Sequence, residues 1–233
     1  MVSRFVTSVR AALYELGHEI SKRNGVVGTW IDVGAFEGKH TLPYAQANPG
    51  LRVFALEPDP SIAAKLIGAA SNFFVVPIAI AEEDGTADFY VNKFRASSSL
   101  LPLNPVGVRQ WVGGELLKVE KTITVPTMRL DTFMNMVGIK FVDFLKIDAQ
   151  GMDLAVVKSA GGRLLDIEKI MLEVCITKEN VYSGAHSKDE VVAFLDGAGF
   201  RLVDAQQQTQ GQEENLTFVR RNSGAAERTQ GDD

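Results

Sequence analysis

The stretch of residues 30–38, WIDVGAFEG, decides how this chain folds. Its first half is an apolar run interrupted by Asp32, which is typical of a strand buried on both faces of a parallel sheet. Its second half contains Gly34 and Gly38, which have no Cβ and therefore allow a tight turn and the close approach of a ligand. A strand that runs into such a turn and then a helix predicts the first unit of an open α/β sheet. Such sheets bind ligands at the carboxyl ends of their strands.

The rest of the chain repeats this alternation of short apolar runs and helical stretches. Five strands are predicted, at residues 26–33, 53–56, 73–80, 141–147 and 170–175. Helices are predicted at residues 40–47, 60–69, 153–160 and 188–198. Two closely spaced strands at residues 200–203 and 216–220 can pair antiparallel. The sequence therefore predicts an α/β protein with a doubly wound, mixed sheet of about seven strands.

Three segments lie outside this alternation. Residues 1–25 predict an amphipathic N-terminal helix packed on a main domain at residues 26–221, and residues 222–233 predict a disordered tail. Residues 86–91 and 122–125 resemble two extra strands, and residues 92–121 form a long insertion between them. Because long insertions in compact domains are usually functional or mobile, we interpret this one as a lid over a pocket. A solvated surface excursion is the alternative.

Composition and charge exclude several classes of protein. A net charge of -5 gives no reason to expect a nucleic-acid partner. The single cysteine, Cys175, forbids an intrachain disulfide, and the three histidines lack the spacing of a zinc hydrolase. No apolar run approaches the length of about 18 residues that a membrane span requires. The N-terminus does not resemble a signal peptide, so we expect a soluble, cytoplasmic protein.

A second acidic residue sharpens the prediction of a ligand site. The strand at residues 53–56 ends at Glu57 and Pro58, about 20 residues after the glycine turn. A carboxylate at this place can accept hydrogen bonds from both hydroxyls of a ribose. The alternative is an exposed acid at the end of a strand.

The residues around the glycine turn favour S-adenosylmethionine over a dinucleotide. A dinucleotide requires a third glycine so that its pyrophosphate meets the N-terminus of the helix, and here Lys39 and His40 follow Gly38. Asp32 would repel a pyrophosphate but would suit the ammonium group of a methionine moiety. We therefore predict S-adenosylmethionine as the cofactor.

Four motifs resemble those of FkbM-type methyltransferases, over roughly residues 30–219. They are DVGAFEGKHTL at 32–42, LEP at 56–58, RLD at 129–131 and FLKIDAQGMD at 144–153. The resemblance implies a Rossmann-like class I methyltransferase fold and O-methylation of a small-molecule hydroxyl on a sugar, glycan or polyketide-type acceptor. By matching position, the cofactor-binding residues would be Asp32, Gly34, Ala35, Gly38, Thr41, Glu57, Pro58 and Ala79, with Ile78 and Ala79 beside the adenine. The chain departs from the family at Phe36, commonly Asn, and at Gln150, usually Glu.

Asp148, Lys146 and Glu173 are the predicted catalytic residues. An alcohol is a poor nucleophile, and Asp148, at the end of the fourth strand, is the leading candidate for its general base. Lys146 projects from the same face and could tune Asp148 or hold a substrate oxygen, unless the two only form an ion pair. Glu173 ends the fifth strand and could bind a divalent ion together with Asp148, or hydrogen-bond the substrate. His40 is a weaker alternative as the base, and His186, in the loop at residues 182–187, could reach the acceptor.

Three other functions remain open on sequence alone. An N-methyltransferase is disfavoured because the chain lacks an Asn/Asp-Pro-Pro-Tyr block after the fourth strand. A non-catalytic S-adenosylmethionine-binding module is disfavoured by the intact segment at residues 146–148. A nicotinamide dehydrogenase is disfavoured by the missing third glycine. The sequence leaves the oligomeric state open, a homo-oligomer included.

Overall fold

The computed structural model describes residues 28–221. The predicted N-terminal helix at residues 1–25 and the predicted tail at residues 222–233 lie outside the described residues. Within the described range there are ten strands: β1 (Thr29–Val33), β2 (Arg52–Leu56), β3 (Phe73–Val76), β4 (Ala79–Ile80), β5 (Gly85–Asn92), β6 (Val119–Met128), β7 (Phe144–Ile147), β8 (Lys169–Cys175), β9 (Phe200–Gln208) and β10 (Glu213–Arg220). The same range has six α-helices: α1 (Leu42–Ala47), α2 (Pro60–Leu66), α3 (Pro105–Gln110), α4 (Leu130–Met136), α5 (Asp153–Ser159) and α6 (Lys188–Gly197).

Seven of the strands form the main sheet, in the order β3-β2-β1-β7-β8-β10-β9. The first five of these run parallel, and β10 and β9 pair antiparallel. The predicted seven-stranded mixed sheet is therefore confirmed. The chain proceeds from β1 to β2 on one side and later returns to place β7 on the other side. The carboxyl ends of β1 and β7 thus flank the point where open α/β sheets bind ligands.

Hydrophobic residues cover both faces of this sheet, because successive side chains of a strand point to opposite faces. Ile31 and Val33 belong to the larger core cluster, to which α4, α5 and α6 contribute. Trp30 belongs to the other cluster, which includes residues of α1 and α2. Its ring packs edge-on against Phe144 of β7, with the centroids 5.1 Å apart. The predicted doubly wound arrangement follows from this alternation.

The prediction of one strand over residues 73–80 is wrong, since the strand divides at Pro77. Proline has a fixed φ and no N–H, so residue 77 cannot donate to a strand ladder. The backbone turns there, with the N–H of Ile78 donating to the carbonyl of Val76 at 2.9 Å. The second half becomes β4, which pairs with β6 in a separate three-stranded sheet.

The two extra strands predicted around the insertion are confirmed as β5 and β6, which pair antiparallel beside β4. The insertion between them carries α3 and two short 3-10 turns, Arg95–Ser97 and Gly114–Leu116. At the other end of the chain, β9 and β10 extend through the Gln-rich stretch that separated the two predicted strands. No helix among residues 28–221 is long and apolar enough to cross a membrane.

Candidate active site

A cavity of about 320 Å³ opens at the carboxyl ends of β1, β2 and β7. Eight of the predicted cofactor-binding and catalytic residues line it: Gly34, Ala35, Glu57, Pro58, Ile78, Ala79, Lys146 and Asp148. Four others, Asp32, Gly38, Thr41 and Glu173, are not among its lining residues. The structure therefore brings Glu57, the acid predicted to bind the ribose, and Asp148, the predicted base, to one cavity. The other four residues do not contact this cavity.

Glu57 occupies one end of this cavity and is held by backbone groups. Its Oε2 accepts the N–H of Phe36 at 2.7 Å, and its Oε1 accepts the N–H of Asp59 at 2.8 Å. Burial raises the pKa of Glu57 to about 7, although these two hydrogen bonds favour the ionised form. Each carboxylate oxygen retains acceptor capacity for a further donor.

The backbone of Phe36 is in the left-handed region, with φ 47°. This conformation is unusual for a bulky residue, whereas Asn adopts it far more readily. It turns the N–H of Phe36 towards Glu57. The position where the chain departs from the family's common Asn therefore contributes to the site through its backbone.

The two glycines of the turn are required by the packing of the protein itself. A Cβ on Gly34 would lie 1.9 Å from the carbonyl oxygen of Asp148, so only glycine lets the β1 and β7 ends approach this closely. Gly38 has φ 68°, and a Cβ there would press on Leu42 and Leu66 at 3.2 Å. A side chain at either position would therefore clash with the protein itself before it could contact a ligand.

A buried ion pair joins β1 to β7 beneath the cavity. Asp32 and Lys146 are direct neighbours in the register of these two strands, and Lys146 Nζ lies 2.9 Å from Asp32 Oδ1. Thr41 donates its hydroxyl to Asp32 Oδ2 at 2.5 Å. Burial alone would lower the pKa of Lys146, but the charges of Asp32 and Asp148 outweigh it and raise that pKa. Asp32, fully buried, thus holds Lys146 as an ammonium group.

Asp148 presents a carboxylate that is partly open to the cavity. Its side chain is 32% exposed, and its Oδ2 lies 3.7 Å from Lys146 Nζ. The other oxygen, Oδ1, accepts a hydrogen bond from Gln150 Nε2 at 2.6 Å. Lys146 therefore pairs more closely with Asp32 than with Asp148, and it also donates to the carbonyl of Gly34 at 3.0 Å.

Glu173 faces a second, much smaller cavity of about 30 Å³, which Asp153, Tyr182 and Glu213 also line. Burial raises the pKa of Glu173 well above its ordinary value and the pKa values of Asp153 and Glu213 to about 7. The amide of Gln150 bridges the two cavities, with Nε2 3.3 Å from Glu173 Oε2.

The residues around Asp148 and Glu173 do not fit a divalent ion. The donor group of Gln150 lies against both carboxylates, in the place that a shared cation would need. Within residues 28–221, no three or more His, Cys, Asp or Glu side chains are grouped so that they could hold a metal.

The two candidate histidines lie apart. His40 lines the main cavity, whereas His186 lines the smaller one, with Nε2 3.4 Å from Lys158 Nζ. Two further features could not be found from the sequence pattern. Arg95, in the insertion, forms an ion pair with Asp59 beside Glu57. The contacts of Gln150 with its neighbours depend on loops that carry no sequence signal.

Comparisons with known proteins agree with this architecture. A sequence model of the family described as "Methyltransferase FkbM domain" matches residues 32–202. The 2-O-methyltransferase NoeI of Sinorhizobium fredii (strain NBRC 101917 / NGR234) is 28% identical over 144 residues, a match covering 57% of this chain and 56% of that protein. The chain thus spans little more than half the length of this curated relative.

A solved structure resembles the whole fold. Magnesium protoporphyrin IX methyltransferase (ChlM) from Synechocystis PCC 6803, with bound SAH, aligns with a TM-score of 0.50 and 12% identity over 93% of this chain and 83% of that one. At this identity the likeness concerns the fold alone, and it confirms the predicted class I methyltransferase fold. The family match extends over most of the chain and confirms the resemblance seen in the motifs. The chain therefore belongs to the FkbM methyltransferase domain family.

Proposed function

We propose that this protein is an S-adenosylmethionine-dependent O-methyltransferase whose acceptor is a hydroxyl of a sugar, glycan or polyketide-type small molecule. The observation that carries the proposal is one cavity, in a chain of this family, lined by Glu57 after β2 and by Asp148 after β7, on the two sides of β1. We call these two sides the cofactor end and the catalytic end. The name of the relative NoeI, a 2-O-methyltransferase, supports a hydroxyl as the acceptor.

The cavity suits the cofactor in size and chemistry. Its volume of about 320 Å³ is at the lower end of the range for small-molecule pockets. Glu57 accepts the ribose hydroxyls, while Ile78 and Ala79 provide an apolar wall for the adenine. Gly34 and Ala35 contribute backbone towards the methionine moiety. Asp32, predicted to contact the ammonium group, acts through Lys146 instead, because it is fully buried.

Bound S-adenosylmethionine supplies an electrophilic methyl group on a sulfonium. With the cofactor bound, S-adenosylhomocysteine would be the leaving group of the methyl transfer, and Asp148 would accept the proton of the acceptor hydroxyl. Asp148 can take this role because its carboxylate is partly exposed to the cavity. A positioned general base contributes roughly 10²–10⁴-fold to such a reaction. Lys146 fixes the carboxylate on one side, and no step passes through a metal ion.

The insertion at residues 92–121 acts as a lid over the cofactor. Several of its residues line the cavity, among them Phe94, Ala96 and Leu100. Arg95 fastens this segment to Asp59 and donates to Ser61 Oγ at 3.0 Å, directly after the β2 end that carries Glu57. Closure of this kind would exclude water from the methyl group.

Calorimetric titration with S-adenosylhomocysteine tests the cofactor assignment. Wild-type protein is expected to bind it, and Glu57→Ala to bind it at least about tenfold more weakly, because hydrogen bonds to a charged group contribute about 1.5–3 kcal/mol. Glu83→Ala, which removes an exposed acid, is the matched control and should bind like wild type. Absence of binding by the wild type would overturn the proposal.

Turnover is tested with radiolabelled S-adenosylmethionine and a panel of sugars, oligosaccharides and macrolide alcohols, matched against amine analogues. Label on an oxygen of the product is the expected result. Transfer to amines alone would replace the O-methyltransferase with an N-methyltransferase.

A further inference from the structure

We propose that Gln150 is a positioning residue whose side-chain amide, oriented by Tyr182, holds the Asp148 carboxylate with one oxygen free towards the cavity. The inference rests on the proposed function, in which Asp148 is the base. It assigns a role to Gln150, where this chain departs from the Glu that is usual in the family.

The contacts of Gln150 fix which way its amide points. Nε2 lies 2.6 Å from Asp148 Oδ1 and 3.3 Å from Glu173 Oε2, so this end of the amide must be the donor. Oε1 therefore faces Tyr182, whose hydroxyl donates to it at 2.7 Å. A flipped amide would place its carbonyl oxygen against the Asp148 carboxylate and would lose both contacts.

The backbone of this turn is built to bring Tyr182 close. Gln150 has φ 51° and Gly151 has φ 93°, two successive residues in the left-handed region. For a non-glycine residue this conformation is unfavourable and persists only where the surroundings impose it. A Cβ on Gly151 would lie 3.0 Å from Tyr182 Cβ and 3.1 Å from Ala185 Cβ. The left-handed backbone at Gln150 and Gly151 therefore lets this turn pack directly against Tyr182, the side chain that orients the amide.

Tyr182 is a permanent donor in a fixed place. It is 6% exposed, and burial raises its pKa well above the ordinary value, so the hydroxyl keeps its proton. The hydroxyl also lies 2.8 Å from the carbonyl oxygen of Ser97, and Ser99 Oγ donates to the carbonyl of Gln150 at 2.7 Å. The insertion at residues 92–121 thus contacts both Tyr182, through Ser97, and Gln150, through Ser99.

The surroundings explain why Asp148 needs such a donor. Lys146 of β7 faces it as a cation, whereas Glu173 of β8, Asp153 of α5 and Glu213 of β10 present further carboxyl groups whose pKa values its charge raises. The amide opposes these carboxyl groups by donating to Asp148 Oδ1. Lys146 Nζ lies 3.7 Å from Oδ2, beyond hydrogen-bond distance, and no other donor among the described residues reaches that oxygen. Oδ2 can therefore accept the proton of the acceptor hydroxyl.

A carbon-13 NMR titration of the Asp148 carboxyl group tests the inference directly. The full-length protein, labelled with γ-¹³C-aspartate and saturated with S-adenosylhomocysteine, is compared with Gln150→Glu, Tyr182→Phe and the control Tyr90→Phe. Asp148→Asn assigns the signal. Gln150→Glu keeps the size of the side chain but removes the donor and adds a carboxyl group beside Asp148, so the midpoint of the Asp148 titration should rise by about 0.7 pH unit or more. Tyr182→Phe adds no charge and therefore isolates the effect of the amide orientation. Tyr182→Phe should give a smaller rise, and Tyr90→Phe none.

Equal midpoints in wild type, Gln150→Glu and Tyr182→Phe would overturn the inference. Should Gln150→Glu fail to fold, Tyr182→Phe alone decides it. With an accepted alcohol, both variants should lower kcat by about tenfold while leaving the KM for S-adenosylmethionine unchanged. A rise in KM alone would also overturn it. Failure of the wild type to bind S-adenosylhomocysteine would instead reject the proposed function, since the carboxyl titration can be recorded without it.

Discussion

The two ends of the cavity hold their acids in different ways. Glu57 is held by the backbone N–H groups of Phe36 and Asp59, and Asp59 is only two residues away. Asp148 is surrounded by side chains, and the orientation of its partner Gln150 depends on Tyr182, 32 residues further along the chain. The first arrangement is set by two turns at neighbouring strand ends. The second requires several loops to come together.

This difference suggests a division of labour. Backbone donors cannot change rotamer, so Glu57 has a fixed place for a ligand that must be bound in the same way at every turnover. In the proposed mechanism Asp148 accepts a proton, and its neighbours Gln150 and Tyr182 contact the insertion at Ser99 and Ser97. The acid proposed to bind the cofactor is therefore held by main-chain groups, whereas the acid proposed as the base is held by side chains.

The largest expected effect separates the two ends by function. Asp148→Asn removes the base and should lower turnover by roughly 10²–10⁴-fold, while the affinity for S-adenosylhomocysteine changes little. The kinetics are measured with an alcohol that the wild type methylates, and the affinity by calorimetry. Asp88→Asn, at an exposed position, is the control. Unchanged turnover would remove Asp148 from the mechanism.

The next prediction concerns Lys146, which connects the two ends through Asp32 and Asp148. Lys146→Met leaves the fully buried charge of Asp32 without its partner, so the free energy of unfolding should fall by about 3–5 kcal/mol. Denaturant unfolding measures this loss. Lys140→Met, at an exposed lysine, should change stability little. A loss as small as that of the control would mean that the ion pair does not join β1 to β7 energetically.

A smaller effect is expected from pH at the cofactor end. The pKa of Glu57 is about 7, and its ionised form is the better acceptor for ribose hydroxyls. Affinity for S-adenosylhomocysteine should therefore fall by about tenfold as the pH is lowered from about 8 to about 6. Asp153 and Glu213 titrate in the same range, so Glu57→Gln is the control, and it should bind with little dependence on pH. An unchanged pH dependence in that variant would assign the effect to the catalytic end.

The positions of Glu57 and of the turn after β1 could be predicted from the sequence because their signals are local. A strand end, an acid and a turn lie within a few residues of each other at both β1 and β2. The predicted bounds of the helices and strands agree with the observed ones within three residues, except at residues 73–80 and 200–220. The break at Pro77 has a sequence signal, since proline lacks the N–H of a strand ladder, but that signal is not decisive because Pro126 stays within β6.

The rest of the site depends on contacts that no local pattern contains. Asp32 faces Lys146 because β1 and β7 pair in one particular register across more than a hundred residues. The approach of Gly34 to the Asp148 carbonyl follows from the same pairing. The contact between Gln150 and Tyr182 is made by two loops, whose relative position is set only by the folded sheet. From the sequence alone, Asp32 is therefore assigned to the ligand, Lys146 to an ion pair with Asp148, and Gln150 to no role.

A crystal structure with S-adenosylhomocysteine bound tests the central claim, that one cavity holds the ribose at Glu57 and the methyl donor at Asp148. We expect both ribose hydroxyls to lie within hydrogen-bond distance of the Glu57 carboxylate. The sulfur of S-adenosylhomocysteine should lie on the side of the cavity that Asp148 lines. A ribose bound away from Glu57, or a sulfur separated from Asp148 by the protein, would contradict it.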